Sequence, residues 1–148
     1  MGNQKYDALK LENQLCFPLY VCSKEIIRRY KPFLEKLDLT YTQYIAMMVL
    51  WDREALNVKE LGEALFLDSG TLTPVLKKLE AKGYITRSRA KTDERNLHVA
   101  LTPSGKKLRD RAVAVPEQMG ACIQLDPKEA QTLYSLLYKM LDGMEPEE

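Results

Sequence analysis

DSGTLTPVLKKLEAKGYITRSRAKTDERNLHVALTPSG, residues 68 to 105, changes its hydrophobic period partway along. Up to Gly83 the apolar residues recur at helical spacing, with Asp68 or Ser69 able to cap the helix and Gly83 able to stop it. Beyond Gly83, YITRSR and NLHVALT each alternate approximately, and the polar run AKTDER lies between them. That pattern predicts two short strands joined by a basic loop. Thr102 then suits the cap of a further helix, with Pro103 in its first turn. Pro74 is the awkward residue, since with Ser69 as cap it removes a bond to the carbonyl of Gly70. Its place near the helix start limits the damage, so it reads as shaping that start and not as a contact.

Upstream, Asn57 is a good cap for VKELGEAL, a short helix with Val58, Leu61 and Leu65 inward. Residues 42–52, TQYIAMMVLWD, are apolar nearly all round and predict a buried central helix. Earlier still, Leu15, Leu19, Cys22, Ile26 and Tyr30 form a helical stripe, predicting a helix from about residue 8 to 31 that stops before Pro32. Downstream, Leu108, Ala112 and Val115 line a helix that Pro116 interrupts or bends. Leu133, Leu136, Leu137, Met140, Leu141 and Met144 give the last helix a strong stripe.

The order is mainly α with a small β-wing, and its middle is a winged helix-turn-helix over residues 40–102 of a single domain, 1–148. The flanks, 1–39 and 103–148, carry more apolar surface than a small three-helix core needs. Pairing them with a second copy across a two-fold axis buries that surface, which makes them dimerisation helices. A monomeric helical bundle is the competing reading.

At 148 residues, 45% apolar and 29% charged, the chain has the size and composition of one folded domain. No run approaches the roughly 18 to 20 apolar residues of a membrane span, so no membrane partner is expected. MGNQKYDALK lacks the apolar centre of a signal peptide, which favours a cytoplasmic location. Three cysteines do not make a secreted disulfide framework. One histidine, His98, reads as a strand-surface residue, and with three scattered cysteines it supplies no clustered metal site; neither metal nor cofactor is expected. The net charge of +1 hides a division. Residues 75–95 carry seven basic against three acidic side chains, +4, and residues 126–148 carry two against six, −4. The basic segment suits a polyanion.

A major groove admits a helix whose N-terminal side chains meet base edges. Ser69, Thr71 and Thr73 are short hydroxyl residues at that end, and Lys77 and Lys78, further on, suit the phosphate backbone. Capping for Ser69 and Thr71, and a solvated face for the lysines, are the plainer alternatives. Arg87 and Lys91 add charge in the strands and loop. A hairpin tip can push Arg95 into a narrow minor groove, with Asp93 holding its guanidinium. As a bare exposed ion pair the same two residues contribute only about 0–1 kcal/mol.

The run from Asn57 to Gly105 resembles the winged helix-turn-helix of MarR-type repressors: the KELGEAL helix, the DSGTLTPVLKKLEAKG helix, the D-x-R wing and the L-T-x-x-G start of the next helix. The resemblance implies a dimer that places two recognition helices on an inverted repeat of double-stranded DNA, and it implies repression. LENQLCFPLY together with YKPFLEKLDLTYTQY is further similar to the OhrR-type sensors of organic hydroperoxides. That likeness makes Cys16 the peroxidatic thiol, with Tyr20, Tyr30 and Tyr41 bonding to it or lining its pocket, Tyr30 and Tyr41 from across the dimer interface.

The chemistry fits. A thiolate attacks peroxide, and an ordinary thiol with pKa about 8.5 is mostly protonated at neutral pH. Phenolic hydroxyls donating to sulfur favour its charged form. Leu15, Phe17 and Leu19 give an apolar setting that admits an alkyl peroxide better than a small hydrated oxidant. Pro18 removes the amide that would bond to the carbonyl of Gln14, either shaping the pocket or merely kinking the helix. Cys122 matches the resolving cysteine of two-cysteine members; one-cysteine members use a small cellular thiol instead. Cys22, on the interior stripe, reads as structural. Two other functions compete: a MarR-type repressor relieved by a non-covalent ligand, and a thiol peroxidase, which leaves the DNA-reading half unexplained.

Overall fold

The computed structural model of the chain describes residues 4–90 and 93–144, with side chains at all of these but 90 and 93–95. Lys91 therefore lies outside the described residues, as do the side chains of Asp93 and Arg95. Four helices and a small sheet make the centre. α1 spans Cys16–Glu35, α2 Tyr41–Arg53, α3 Val58–Leu65 and α4 Ser69–Ala81. Each of the last three starts where a side chain satisfies an amide that the helix itself leaves unpaired. Thr40 and Gln43 form a reciprocal capping box for α2, and Asn57 and Glu60 do the same for α3. For α4 the cap is Asp68, whose carboxylate accepts from the Thr71 amide at 2.7 Å.

α3 ends on Phe66, at φ 55°, and the chain turns back at once into α4. Gly62 allows that turn: a Cβ there would stand 2.7 Å from the Leu67 carbonyl oxygen. Leu61 of α3 and Leu72, Leu76 and Leu79 of α4 are buried with Ala46, Met47 and Leu50 of α2. This is the close-packed centre on which the rest is built.

The wing has three strands in the order β1-β3-β2: β1 Ala55–Asn57, β2 Ile85–Ala90 and β3 Asp93–Leu101. Both pairings are antiparallel, with Leu56 and Arg87 each opposite Val99. The sequence predicts two strands and a loop over AKTDER; instead Asp93 to Arg95 belong to β3, after a register shift between Arg89 and Ala90. β1 is too short to show a period and exists because Leu56 buries beside Val99.

Thr102 caps α5 (Pro103–Ala112) by accepting from the Gly105 amide at 3.0 Å, while its hydroxyl donates to the Gly83 carbonyl at 2.6 Å. Gly105 sits so close to β2 that a Cβ would collide with the Tyr84 carbonyl. The helix stops at Ala112, and α6 (Val115–Gly120) restarts with Pro116 in its first turn. α7 spans Pro127–Asp142 on an Asp126 cap.

Two expectations for α1 are corrected. It begins at Cys16, after two 3₁₀ turns at Gln4–Leu9 and Leu11–Asn13, and it runs through Pro32 to Glu35. Burial of Leu34 and Leu37 holds the chain on course past the proline. Pro18 accordingly lies in the first turn, where an amide has no helical acceptor, so it takes no bond from Gln14 and kinks nothing. The stripe of α1 is also not interior within one chain. Leu15 is 71% exposed, Cys22 is exposed, and Leu34 is the one buried residue of the helix. α7 buries none of its residues. No helix among the described residues is long and apolar enough to cross a membrane.

Candidate DNA interface and redox thiol

At the start of α4 the three hydroxyl residues differ in what they can offer. Ser69 is exposed in the first helical position. Thr71 is also exposed, but its hydroxyl donates to the second oxygen of Asp68 at 3.2 Å. The half-buried Thr73 donates to the Ser69 carbonyl at 2.6 Å. Both threonines thus use their proton inside the helix and present an oxygen that can only accept. An acceptor suits the amino groups of adenine or cytosine and does not suit a phosphate. Lys77 and Lys78 are exposed further along the helix.

Arg87 is placed differently from those lysines. Its guanidinium donates to Glu80 at 3.1 Å, and its own amide donates to the other oxygen of that carboxylate at 3.0 Å. The side chain is only 20% exposed. Arg87 therefore fastens the base of the wing to α4 and is committed to Glu80. That hydrogen bond holds the Glu80 carboxyl below the usual carboxylate range.

A second constellation lies where α1 meets α2. The rings of Tyr30 and Tyr41 are 5.0 Å apart, and Tyr44 stands 5.8 Å from Tyr30 and 6.4 Å from Tyr41. Burial pushes all three phenols above their ordinary pKa, and for Tyr30 and Tyr44 the neighbouring tyrosines add to it. They therefore remain hydrogen-bond donors across the working pH range. Tyr44 joins the two tyrosines named from sequence, and its spacing of three from Tyr41 on one helix, in YTQY, is the signal that carries it.

Cys16 is exposed and occupies the first residue of α1. Tyr20 lies one turn on, exposed, with the Lys24 ammonium 5.5 Å from its ring centre. Tyr30 is fourteen residues from Cys16 on the same helix, about 21 Å along the axis at 1.5 Å per residue. Within one chain Tyr30 and the thiol are therefore kept apart. Cys122 follows α6, half-buried, and its thiol points at the Gln118 carbonyl, 3.5 Å away.

A family model described as transcriptional regulator SarA/Rot matches residues 28–112. The organic hydroperoxide resistance transcriptional regulator of Bacillus subtilis is 47% identical over 140 residues, 95% of each chain. Among solved structures, reduced AbfR bound to DNA, a Staphylococcus epidermidis protein, is 33% identical with a TM-score of 0.77, covering 95% of this chain and 98% of that one. The disulfide-formed AbfR is likewise 33% identical and covers 95% and 99%, but its TM-score is 0.64. The present structure is nearer the DNA-bound forms of that neighbour, the overoxidised one included at a TM-score of 0.76, than its disulfide form.

Proposed function

Because this chain belongs to the MarR family and is a DNA-binding transcriptional regulator of the organic hydroperoxide resistance type, we propose that it is a homodimeric repressor switched by oxidation of Cys16. Residues 40–102 read an inverted-repeat operator through Ser69, Thr71 and Thr73, with Lys77, Lys78 and Lys91 on phosphates and Arg95, its guanidinium held by Asp93, in the minor groove. Residues 1–39 and 103–148 join the two copies. The observation that carries the reading is the separation described above. Tyr30, half-buried against Tyr41 and Tyr44, lies about 21 Å along α1 from the exposed thiol of its own chain, and the thiol stands on an uncovered apolar face. A second copy brings the two together.

The thiolate attacks the outer peroxide oxygen. The S–O bond forms as the O–O bond breaks, leaving the sulfenic acid and an alkoxide that takes a proton to become an alcohol. The partner's Cys122 then attacks the sulfenic sulfur, forming a disulfide and expelling water. The cross-link favours one arrangement of the dimer and changes the spacing of the recognition helices. The lower likeness of the disulfide-formed neighbour than of its DNA-bound forms supports a change of arrangement on cross-linking.

A gel-shift on an A·T-rich inverted repeat tests this. Wild type should release DNA with cumene hydroperoxide at concentrations where hydrogen peroxide does little. Cys16→Ser should stay bound, and Cys122→Ser should form no disulfide. Release by Cys16→Ser would favour a non-covalent ligand instead. One feature supports that second reading: an open cleft of about 590 Å³, in which Arg28, Lys31 and Tyr41 surround apolar Ile27, Leu34 and Leu39.

A further inference from the structure

Lys82 closes α4, and its ammonium leaves the recognition helix to bind the connection between α1 and α2. It donates to the main-chain carbonyl of Asp38, lies 3.4 Å from the Asp38 carboxylate, and donates to Gln43 Oε1 at 3.3 Å. Gln43 is the buried polar side chain among the described residues, 3% exposed. Its amide oxygen also accepts from the Thr40 amide at 3.1 Å, and its own amide donates to the Thr40 hydroxyl at 3.3 Å. Those two bonds start α2, and the first residue of α2 is Tyr41. One carbonyl oxygen therefore joins the cap beneath Tyr41 to the end of α4, with both of its lone pairs in use.

We propose that Lys82 is a positioning residue, passing a displacement of Tyr41 to the recognition helix; this rests on the redox reading above. The apolar contacts between α2 and α4 are non-directional and hold the two helices together without fixing their rotation. The Lys82 bonds are directional and act at the far end of α4 from the DNA-reading residues, which gives them leverage over its angle. Tyr41, Thr40, Asp38 and Lys82 also wall the open cleft, so the relay borders space and not packed core, and Tyr41 has room to shift. Lys82 carries no role in DNA contact here: its ammonium is turned inward and its side chain is 25% exposed.

The test uses the full-length protein and a duplex selected from random sequence by the reduced wild type. Reduced Lys82→Met should bind that duplex within about threefold of wild type and should form sulfenic acid at Cys16 equally fast with cumene hydroperoxide. Its loss of DNA affinity on oxidation should shrink at least tenfold, and Lys82→Arg should restore it. Full release by Lys82→Met overturns the proposal. So does lost DNA binding by the reduced variant with unchanged melting, which would make Lys82 a DNA contact. A double-mutant cycle with Tyr41→Phe, read as DNA affinity of the reduced protein, is independent of oxidation. Effects of the two substitutions that combine non-multiplicatively by threefold or more support the relay, and multiplicative effects overturn it. If hydroperoxide fails to release wild type, the redox reading falls while the cycle still decides the relay.

Discussion

The phenols of Tyr30, Tyr41 and Tyr44 hold their protons more tightly than free tyrosine because burial penalises the phenolate. The sign of the consequence follows from linkage. The unfolded chain loses these protons near pH 10 while the folded chain keeps them, so their contribution is complete below pH 10 and is lost as pH rises through the folded values. These three should therefore ionise late in an ultraviolet absorbance titration, as should Tyr134, which its hydrogen bond to Tyr138 also raises. Tyr41→Phe should bring Tyr30 down, since the Tyr41 charge is one of the causes of its shift. Ionisation of Tyr30, Tyr41 and Tyr44 near pH 10 would contradict the cluster. At the same scale, Gly105 admits no side chain: its missing Cβ faces the Tyr84 carbonyl, and its own carbonyl accepts from the Trp51 indole at 2.9 Å. Gly105→Ala should destabilise the chain by about 1–3 kcal/mol, typical of overpacking, as read by urea unfolding.

Among the elements, α4 depends on one carboxylate. Hydrogen bonds from the backbone and side chain of Thr71 hold the Asp68 carboxyl below its usual range. Its cap is fully present above the unfolded value of 3.8 and is lost as pH falls through the lower folded value. Asparagine caps comparably and does not titrate. Asp68→Asn should therefore melt like wild type at neutral pH and lose less stability than wild type below about pH 4. Equal losses on acidification would remove Asp68 from the account. The caps were readable because each lies within three residues of what it binds, as in the Asn57–Glu60 and Thr102–Gly105 pairs. β1 was not, since its three residues carry no period and depend on Val99, forty-three positions after Leu56. Pro32 misled for a related reason: the local rule ends a helix there, and burial of Leu34 and Leu37 overrides it. In the candidate site, Cys16, Tyr30 and Tyr41 could be named from motifs, whereas the contact of Lys82 with Gln43 spans thirty-nine residues and leaves no local trace.

For the whole molecule the question is what covers α1 and α7. The stripe of α1 has the right period, but period alone does not say which chain buries it. Leu133, Leu136 and Met140 on α7 are 44%, 53% and 38% exposed, and with Leu15, Phe17 and Ile26 they leave a large apolar surface for a folded chain. At about 25 cal/mol per Å² such a surface is a strong drive to associate. In the proposed dimer, an isologous pairing through both terminal helices would also bring each thiol towards the other copy's tyrosines, so one contact would account for two observations. Leu136→Glu puts a charge into that seam without touching α4 or the wing. The variant should sediment as a monomer at micromolar concentration with its helix content kept. A monomer engages one half-site, so the gain from tethering two is lost, and affinity for an inverted repeat should fall by about 10²–10⁴-fold. Affinity for a single half-site should remain within a few-fold of that of wild type. A variant that stays dimeric and binds as tightly as wild type would place the seam elsewhere and would also leave Cys16 without its phenols.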